Sequence, residues 1–122
     1  TEDEENNRSL VLHFSYGENS FLFTGDLEAE GEEELIAVSG DELHADVLKV
    51  GHHGSATSTA QEFLERVRPA YAFIPVGKNT YGHPDGEVVK RLESAGTQVF
   101  RADIHKDVVF TMNREEIIDI SR

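Results

Sequence analysis

The sequence contains no cysteine. This absence excludes disulfide bonds and thiolate metal ligands together. Any metal ion bound by this chain must therefore be held by histidine nitrogen and carboxylate oxygen. No stretch approaches the roughly eighteen consecutive apolar residues that a bilayer-spanning helix needs, and no signal-peptide pattern is present. The sequence thus predicts that no part of this chain enters a membrane.

Basic residues are scarce in the first part of the chain. Residues 1–46 hold fourteen acidic residues and a single base, Arg8, within a net charge of −13 for the whole chain. A protein that binds the phosphates of nucleic acid usually has a stripe of basic residues on its surface, so this composition argues against a simple DNA-binding module. An enzyme acting on a phosphodiester is still allowed, because bound divalent cations can supply the missing positive charge.

The length and composition indicate one compact domain spanning residues 1–122. Its 122 residues are 38% hydrophobic and 29% charged, which is ordinary for a globular protein. Residues 1–7 are polar and acidic, and we expect a frayed, disordered tail or the cut end of a longer segment there. The order of predicted elements, ββα, βα, βα, βββ, predicts an α/β fold in which helices pack on a mixed β-sheet.

The predicted elements follow from hydrophobic periodicity and turn residues. The first strand, residues 9–16, alternates cleanly and is expected to be half-buried, and the glutamates of the first helix are expected to form a solvated face. Thr57, Ser58 or Thr59 is expected to cap the second helix. The further strands are residues 20–24, 46–50, 71–76, 98–101, 107–112 and 116–120, the last two forming a hairpin, and the helices are residues 27–38, 59–67 and 85–95.

Two adjacent histidines follow a predicted buried strand, in Gly51-His-His-Gly-Ser55. Ligands bind where strands of open α/β sheets end, and imidazole is both a metal ligand and a proton carrier. If the segment is extended, the two side chains point in opposite directions, so one would bind an ion and the other contact substrate. Ser55 and Thr57 could hold an anion. The alternative is one histidine bonded to the loop backbone and one exposed to solvent.

Other strand ends carry further candidate site residues. Asp26 follows the second strand, where it serves either as a helix N-cap or as a carboxylate ligand that shares a site with the histidines. The loop of residues 77–84 contributes Lys78, Asn79, Tyr81 and His83, of which the lysine, the tyrosine and the histidine suit charge neutralisation and proton donation to a phosphate. His83-Pro84 could instead simply place proline at the first position of a helix. His13, His44 and His105 are interpreted as structural and exposed.

Four segments taken together resemble the metallo-β-lactamase superfamily, and more closely the hydrolase domain of the ComEC family, whose members serve DNA uptake. These segments are Asn7-Arg-Ser-Leu-Val-Leu12, Phe21-Leu-Phe-Thr-Gly-Asp26, Ala45 to Ser55 and Asn79-Thr-Tyr-Gly-His-Pro84. The resemblance implies that Asp26 bridges two divalent ions, zinc or manganese, that His53 is the last ligand, and that His52 contacts phosphate while His83 lies near the substrate. It also implies DNA as substrate and the rest of a polytopic bacterial membrane protein as partner, with this domain on the extracytoplasmic face.

The principal metal motif of that superfamily, His-x-His-x-Asp-His, does not occur in this sequence. The chain therefore resembles the second half of an αββα sandwich. Asp26 and one or two histidines are fewer than the four ligands of a typical zinc site, so we expect weak or absent metal binding and no turnover from the chain alone. The expected parent activity is a metal-dependent nuclease that degrades the DNA strand that is not transported. The alternatives are a phosphocholine esterase or lactonase of the same superfamily, or a non-catalytic interaction domain.

Overall fold

The computed structural model describes residues 10–76 and 83–121, with the side chains of His52 and His53 outside that description. The expectations for residues 1–7, Lys78, Asn79 and Tyr81 therefore fall outside the described residues. Within them, the strands are β1 Leu12–Tyr16, β2 Asn19–Phe23, β3 Val47–Lys49, β4 Tyr71–Ile74, β5 Gln98–Arg101, β6 Val109–Met112 and β7 Ile117–Ser121. The helices are α1 Ala29–Ser39, α2 Gln61–Val67, α3 Gly86–Ser94 and α4 Ala102–His105, with short 3-10 turns at Gly40–Glu42 and Gly51–Gly54.

Five strands form one mixed sheet in the order β1-β2-β3-β4-β5. The β1 and β2 strands are an antiparallel hairpin, whereas β2, β3, β4 and β5 run parallel to their neighbours. The predicted α/β fold with helices packed on a mixed sheet is confirmed. The β6 and β7 strands pair antiparallel as predicted, but they form a separate two-stranded sheet. The parallel order matters for function because it places the carboxyl ends of β2 to β5 along one edge.

The core lies between one face of the sheet and the helices. Leu22, Leu48 and Ala72 occupy equivalent positions on three neighbouring strands and are fully buried. Phe63 from α2 and Leu92 from α3 pack into the same cluster. The short periodic runs of the sequence therefore fold because α2 and α3 bury their apolar stripes on this face of the sheet.

The opposite face of the sheet is rich in aromatic side chains and only partly covered. We call it the aromatic face; by strand register it comprises Leu12, Phe14, Tyr16, Phe21, Phe23, Val47, Lys49, Tyr71, Phe73 and Phe100. The β6–β7 hairpin covers its far side, where the ring of Phe110 lies 6.0 Å from that of Tyr71 and 5.9 Å from that of Phe100. On β1, Leu12, Phe14 and Tyr16 are 50%, 47% and 47% exposed. The predicted half-burial of β1 is wrong, because all five of its residues are exposed, although the guanidinium of Arg114 lies 5.8 Å from the centre of the Tyr16 ring.

The first helix also departs from expectation. It begins at Ala29, and two of its region's glutamates are buried, Glu28 at 6% and Glu32 at 2% exposure. The interpretation of these glutamates as a solvated face is therefore wrong for these two positions and holds for Glu30, Glu33 and Glu34. No helix in residues 10–76 and 83–121 combines the length and apolar character needed to cross a bilayer.

Candidate functional site

The candidate site is built from the loops that follow three parallel strands. Asp26 follows β2, the double histidine follows β3, and His83 follows β4. Because β2, β3 and β4 are parallel and adjacent, their carboxyl ends and the loops after them share one edge of the sheet. The sheet topology therefore brings together the three loops that the sequence singled out.

The loop after β2 is a tight turn that presents Asp26. The amide of Leu27 donates to the carbonyl of Thr24 at 3.2 Å, and Gly25 adopts a positive φ of 61°. Thr24 is buried beneath the turn, whereas Asp26 is exposed. The N-cap of α1 is Glu28, so the alternative reading of Asp26 as a helix cap is wrong.

Gly51 lies directly against this turn. A β-carbon at Gly51 would be 3.0 Å from the hydroxyl of Thr24 and 3.1 Å from the carbonyl oxygen of Leu27. The absence of a side chain at Gly51 thus lets the chain leaving β3 approach the turn that carries Asp26. The double histidine begins at the residue after this contact.

The double histidine does not lie on an extended segment. Gly51–Gly54 form a short 3-10 turn, which we call the histidine turn. The premise of an extended segment is therefore wrong, and with it the inference of opposite orientations, which neighbouring residues adopt on a strand. The assignment of His53 as metal ligand and His52 as phosphate contact stays a prediction.

Gly54 joins the histidine turn to the segment of His83. Gly54 has a φ of 77°, and a β-carbon there would lie 2.6 Å from the β-carbon of Pro84 and 3.2 Å from Ile74 Cγ2. The amide of Asp85 also donates to the carbonyl of Gly54 at 2.7 Å. The two glycines of Gly-His-His-Gly therefore contact the Asp26 turn on one side and the His83 segment on the other.

Helix α3 starts after Pro84, whereas one interpretation of the sequence made Pro84 its first residue. Its N-cap is Asp85, whose carboxylate accepts a hydrogen bond from the amide of Glu87 at 2.9 Å. Pro84 lies before this cap, so its interpretation as the first helical residue is wrong. His83 is half-buried, and its predicted contact with substrate stays a prediction.

The hydroxyl groups of Ser55 and Thr57, which follow the histidine turn, form hydrogen bonds to other groups of the protein. Ser55 is buried, and its hydroxyl lies 3.0 Å from that of Thr57. Thr57 in turn donates to Oε1 of Glu28 at 2.8 Å. The role of Ser55 in substrate binding stays a prediction, and the structure adds that a hydrogen-bonded chain ties it to the residue two positions after Asp26.

The side chains at this edge are of the types that bind a divalent ion, but they are too few to complete a site. Carboxylate and imidazole are ligands that zinc and manganese accept. Among the described side chains, no three histidines, aspartates or glutamates lie close enough to hold one ion together. Asp26 with the imidazoles of the histidine turn would contribute at most part of a site.

The fourth parallel strand ends at the same edge in a strong ion pair. Arg101 donates from Nε to Oδ1 of Asp103 at 3.0 Å and from Nη2 to Oδ2 at 2.7 Å. The amide of Arg101 also donates to Nδ1 of His105 at 2.9 Å, and the imidazole packs edge-on against the ring of Phe100. His105 is therefore structural as predicted, but it is half-buried and not exposed.

This ion pair predicts a specific dependence of stability on pH. The hydrogen bonds from Arg101 hold the pKa of Asp103 below its usual range. The pair therefore stabilises the fold fully above the ordinary aspartate pKa of about 3.9, and this contribution is lost as the pH falls through the lower, folded-state pKa. Asp103→Asn should cost stability at pH 5, and the difference from wild type should shrink toward pH 2. Urea denaturation measures this, with the exposed Asp107→Asn as control; a difference independent of pH would contradict the prediction.

His13 and His44 lie away from the site edge. Nε2 of His13 is 2.9 Å from the carbonyl oxygen of His44, and Nδ1 of His44 is 2.8 Å from that of Val67. Both residues are exposed, and their interpretation as structural agrees with these backbone contacts.

Sequence reasoning missed the two buried glutamates, Glu28 and Glu32. Both bond to the segment after the histidine turn, about 28 residues further along the chain. One signal was available: Glu28 and Glu32 are four residues apart and thus share a helical face with each other. Because Glu30, Glu33 and Glu34 lie in the same segment, the whole helix looked like a solvated acidic face and this spacing did not stand out.

Comparison with known proteins identifies the relatives of this chain. The family model described as the metallo-beta-lactamase superfamily matches residues 3–78. The chain is 47% identical over 100 residues to ComE operon protein 3 of Bacillus subtilis, covering 81% of this chain and 13% of that protein. It is 38% identical over 112 residues to competence protein ComA of Neisseria gonorrhoeae, covering 91% of this chain and 16% of the relative. It is 43% identical over 89 residues to recombination protein 2 of Haemophilus influenzae, covering 72% of this chain and 11% of the relative. The chain thus spans about an eighth of the length of these relatives.

Proposed function

The chain belongs to the metallo-β-lactamase superfamily, within the ComEC family of competence proteins, and we propose that it is part of a metal-dependent phosphodiesterase that acts on DNA during its uptake. The observation that carries this proposal is the mutual packing of three strand-end loops through Gly51 and Gly54. This packing fixes the backbones of Asp26, the histidine turn and His83 against one another. The proposal is that the carboxylate and imidazole groups carried by these loops act together at this edge of the sheet.

The residues of this chain would supply one side of a dinuclear site. Asp26, which lies on an exposed turn, would be the carboxylate that bridges the two ions, and His53 would add an imidazole ligand. Divalent ions at such a site would neutralise phosphate oxygens and activate water. His52, Ser55 and Asn79 would contact and orient the phosphodiester, whereas Lys78, Tyr81 and His83 would neutralise its charge and donate protons to it.

The positive charge of such ions is needed for the proposed substrate. The chain has a net charge of −13, so its own charge repels a nucleic acid backbone. Divalent ions at the strand-end edge would make the electrostatic potential there positive. Arg101 lies at this edge as well, but Asp103 already neutralises its charge. Manganese or zinc would therefore serve in both substrate binding and hydrolysis.

We also propose that the chain is the C-terminal half of its hydrolase domain. The exposed side chains of Leu12, Phe14 and Tyr16 lie side by side on the aromatic face, and Phe14 stacks on Phe21 at 5.0 Å and on Phe23 at 5.4 Å. A continuous apolar sheet face of this kind is typical of one that packs on a second sheet. The second sheet would bring the remaining metal ligands to the same edge, and the chain by itself would show no turnover.

Hydrolysis assays on a longer version of the protein, extended upstream to include the second sheet, test the proposed function. We expect nicking of supercoiled plasmid that requires added manganese or zinc and is abolished by a chelator. Phosphocholine esters and lactones serve as the comparison substrates. Hydrolysis of either one without nicking of DNA would assign the protein to a different activity of the superfamily, and metal-independent nicking would contradict the proposed site.

A further inference from the structure

The segment that follows the histidine turn is anchored by the buried carboxylate of Glu32. Its Oε2 accepts a hydrogen bond from the amide of Thr59 at 2.6 Å, and its Oε1 accepts one from the amide of Ala60 at 2.9 Å. These amides belong to Ala60, the N-cap of α2, and to the residue before it. The prediction that Thr57, Ser58 or Thr59 caps α2 is therefore wrong, and Glu32 on α1 instead binds the backbone that leads into the helix.

Thr59 is held in an unfavourable backbone conformation by contacts on both sides of the residue. Its φ is 58°, which is a genuine outlier for a β-branched residue. Its amide binds Glu32, and its carbonyl accepts a hydrogen bond from Nη1 of Arg91 at 2.6 Å. Its buried hydroxyl has no hydrogen-bond partner among the described residues. Strain of this kind persists only where the surroundings impose it, and it concentrates near functional sites.

The environment of Glu32 shows that this anchor is costly to maintain. Burial raises the pKa of the Glu32 carboxyl above its ordinary value, although the amides of Ala60 and Thr59 and the charge of Arg91 oppose this rise. A glutamate whose only task was to solubilise α1 would lie on the exposed face, as Glu33 does. Glu32 is instead buried where it binds the backbone of another loop.

Only four residues separate Gly54 from Thr59, so a fixed Thr59 restricts the histidine turn. The intervening residues are bound to the Asp26 side of the site as well. Ser58 donates from its hydroxyl to the carbonyl of Leu27 at 2.6 Å, and the amide of Ala29 donates to the carbonyl of Thr57 at 2.8 Å. The segment from Ser55 to Ala60 is therefore attached to the start of α1 at several points.

We propose that Glu32 is a positioning residue of the candidate site, which holds Thr59 in the left-handed conformation and thereby fixes the histidine turn beside Asp26. This inference deepens the proposed function, because it names what keeps the imidazoles in place. It concerns the free protein, however, and its test needs neither metal nor substrate.

Glu32→Gln tests this role with little change in shape. The amide oxygen can accept one of the two backbone hydrogen bonds, but the amide nitrogen faces the other donor. We expect hydrogen exchange at the amides of Thr59 and Ala60 to accelerate by about tenfold or more, and the imidazole NMR signals of His52 and His53 to shift or broaden. Glu33→Gln, an exposed change on the same helix, should leave both readouts unchanged.

Thr59→Gly separates positioning from general structural support. Glycine adopts a positive φ without strain, so it should keep the left-handed conformation without the help of Glu32. The double variant Glu32→Gln/Thr59→Gly is therefore expected to recover the wild-type imidazole signals. Thr59→Gly alone should preserve these signals and raise the denaturation midpoint, because it removes both the strain and the buried hydroxyl.

The outcomes distinguish this proposal from the proposed function. Imidazole signals that are unchanged in Glu32→Gln would overturn the positioning role even if the domain proves to be a nuclease. Disturbed signals that glycine at position 59 does not recover would show that Glu32 acts only through general stability. If Glu32→Gln does not fold, Glu32→Asp gives the same test, since the shorter side chain weakens the bonds to the Thr59 and Ala60 amides, and its smaller disturbance must also be reversed by Thr59→Gly. A failed DNA-nicking assay would leave all these results intact.

Discussion

Asp26→Asn, made in the longer version of the protein, is expected to lower manganese-dependent DNA hydrolysis at least about 100-fold. Asparagine keeps the shape of the side chain but loses the charge and the second anionic oxygen with which a carboxylate bridges two ions. Losing about 3 kcal/mol of stabilisation of the transition state corresponds to this factor. Because Asp26 is exposed on a tight turn, the variant should fold normally and the loss should fall on the chemistry.

A matched control and a binding experiment make this prediction specific. Asp41→Asn removes another exposed carboxylate, one that precedes β3 at the other edge of the sheet, and should leave hydrolysis unchanged. Titration of the chain itself with zinc or manganese, followed through the imidazole signals of His52 and His53, should show binding that is weak and further weakened by Asp26→Asn. Saturable micromolar binding that does not depend on Asp26 would contradict its role as the bridging carboxylate.

The location of the candidate site could be predicted from the sequence because it depends on topology. Apolar runs followed by Asp26, His52 and His83 predicted strands that end at functional loops, and the structure places these strands side by side and parallel. Periodicity and turn residues sufficed for that step, since each operates within one segment. They also sufficed for the antiparallel pairing of β6 with β7.

Features that depend on contacts between distant segments could not be predicted in this way. The burial of Glu32 depends on amides 27 and 28 positions away, and a glutamate-rich helix by itself is typical of a solvated face. The exposure of Phe14 has a similar cause, since alternation shows that one face of a strand is apolar but not whether anything covers it. The helical form of the histidine turn was equally hidden, because Gly51 and Gly54 allow many backbone conformations.

The contacts of the glycines that flank the double histidine could not be predicted from the sequence either. Substitution of one of them, Gly54, has the largest expected loss of stability. The sequence marked Gly54 as a loop residue, but only the structure shows that it touches Pro84. Gly54→Ala should lower the free energy of unfolding by about 3 kcal/mol. Alanine in the left-handed conformation costs about 1–2 kcal/mol, and its β-carbon, 2.6 Å from the β-carbon of Pro84, adds about 1–3 kcal/mol of overpacking.

Gly96→Ala separates these two contributions. Gly96 has a φ of 85° like that of Gly54, but no atom of the described residues lies within 4 Å of the place its β-carbon would occupy, so alanine there should cost only the backbone strain. Urea denaturation of the two variants and the wild type gives the difference, which we expect to be about 1–3 kcal/mol and to measure the contact between the histidine turn and Pro84. Equal losses in the two variants would mean that Pro84 moves aside without cost. In that event the close packing of Gly54 would not be what holds the His83 segment beside the histidine turn, and other contacts, such as the hydrogen bond from the Asp85 amide to the Gly54 carbonyl, would hold it.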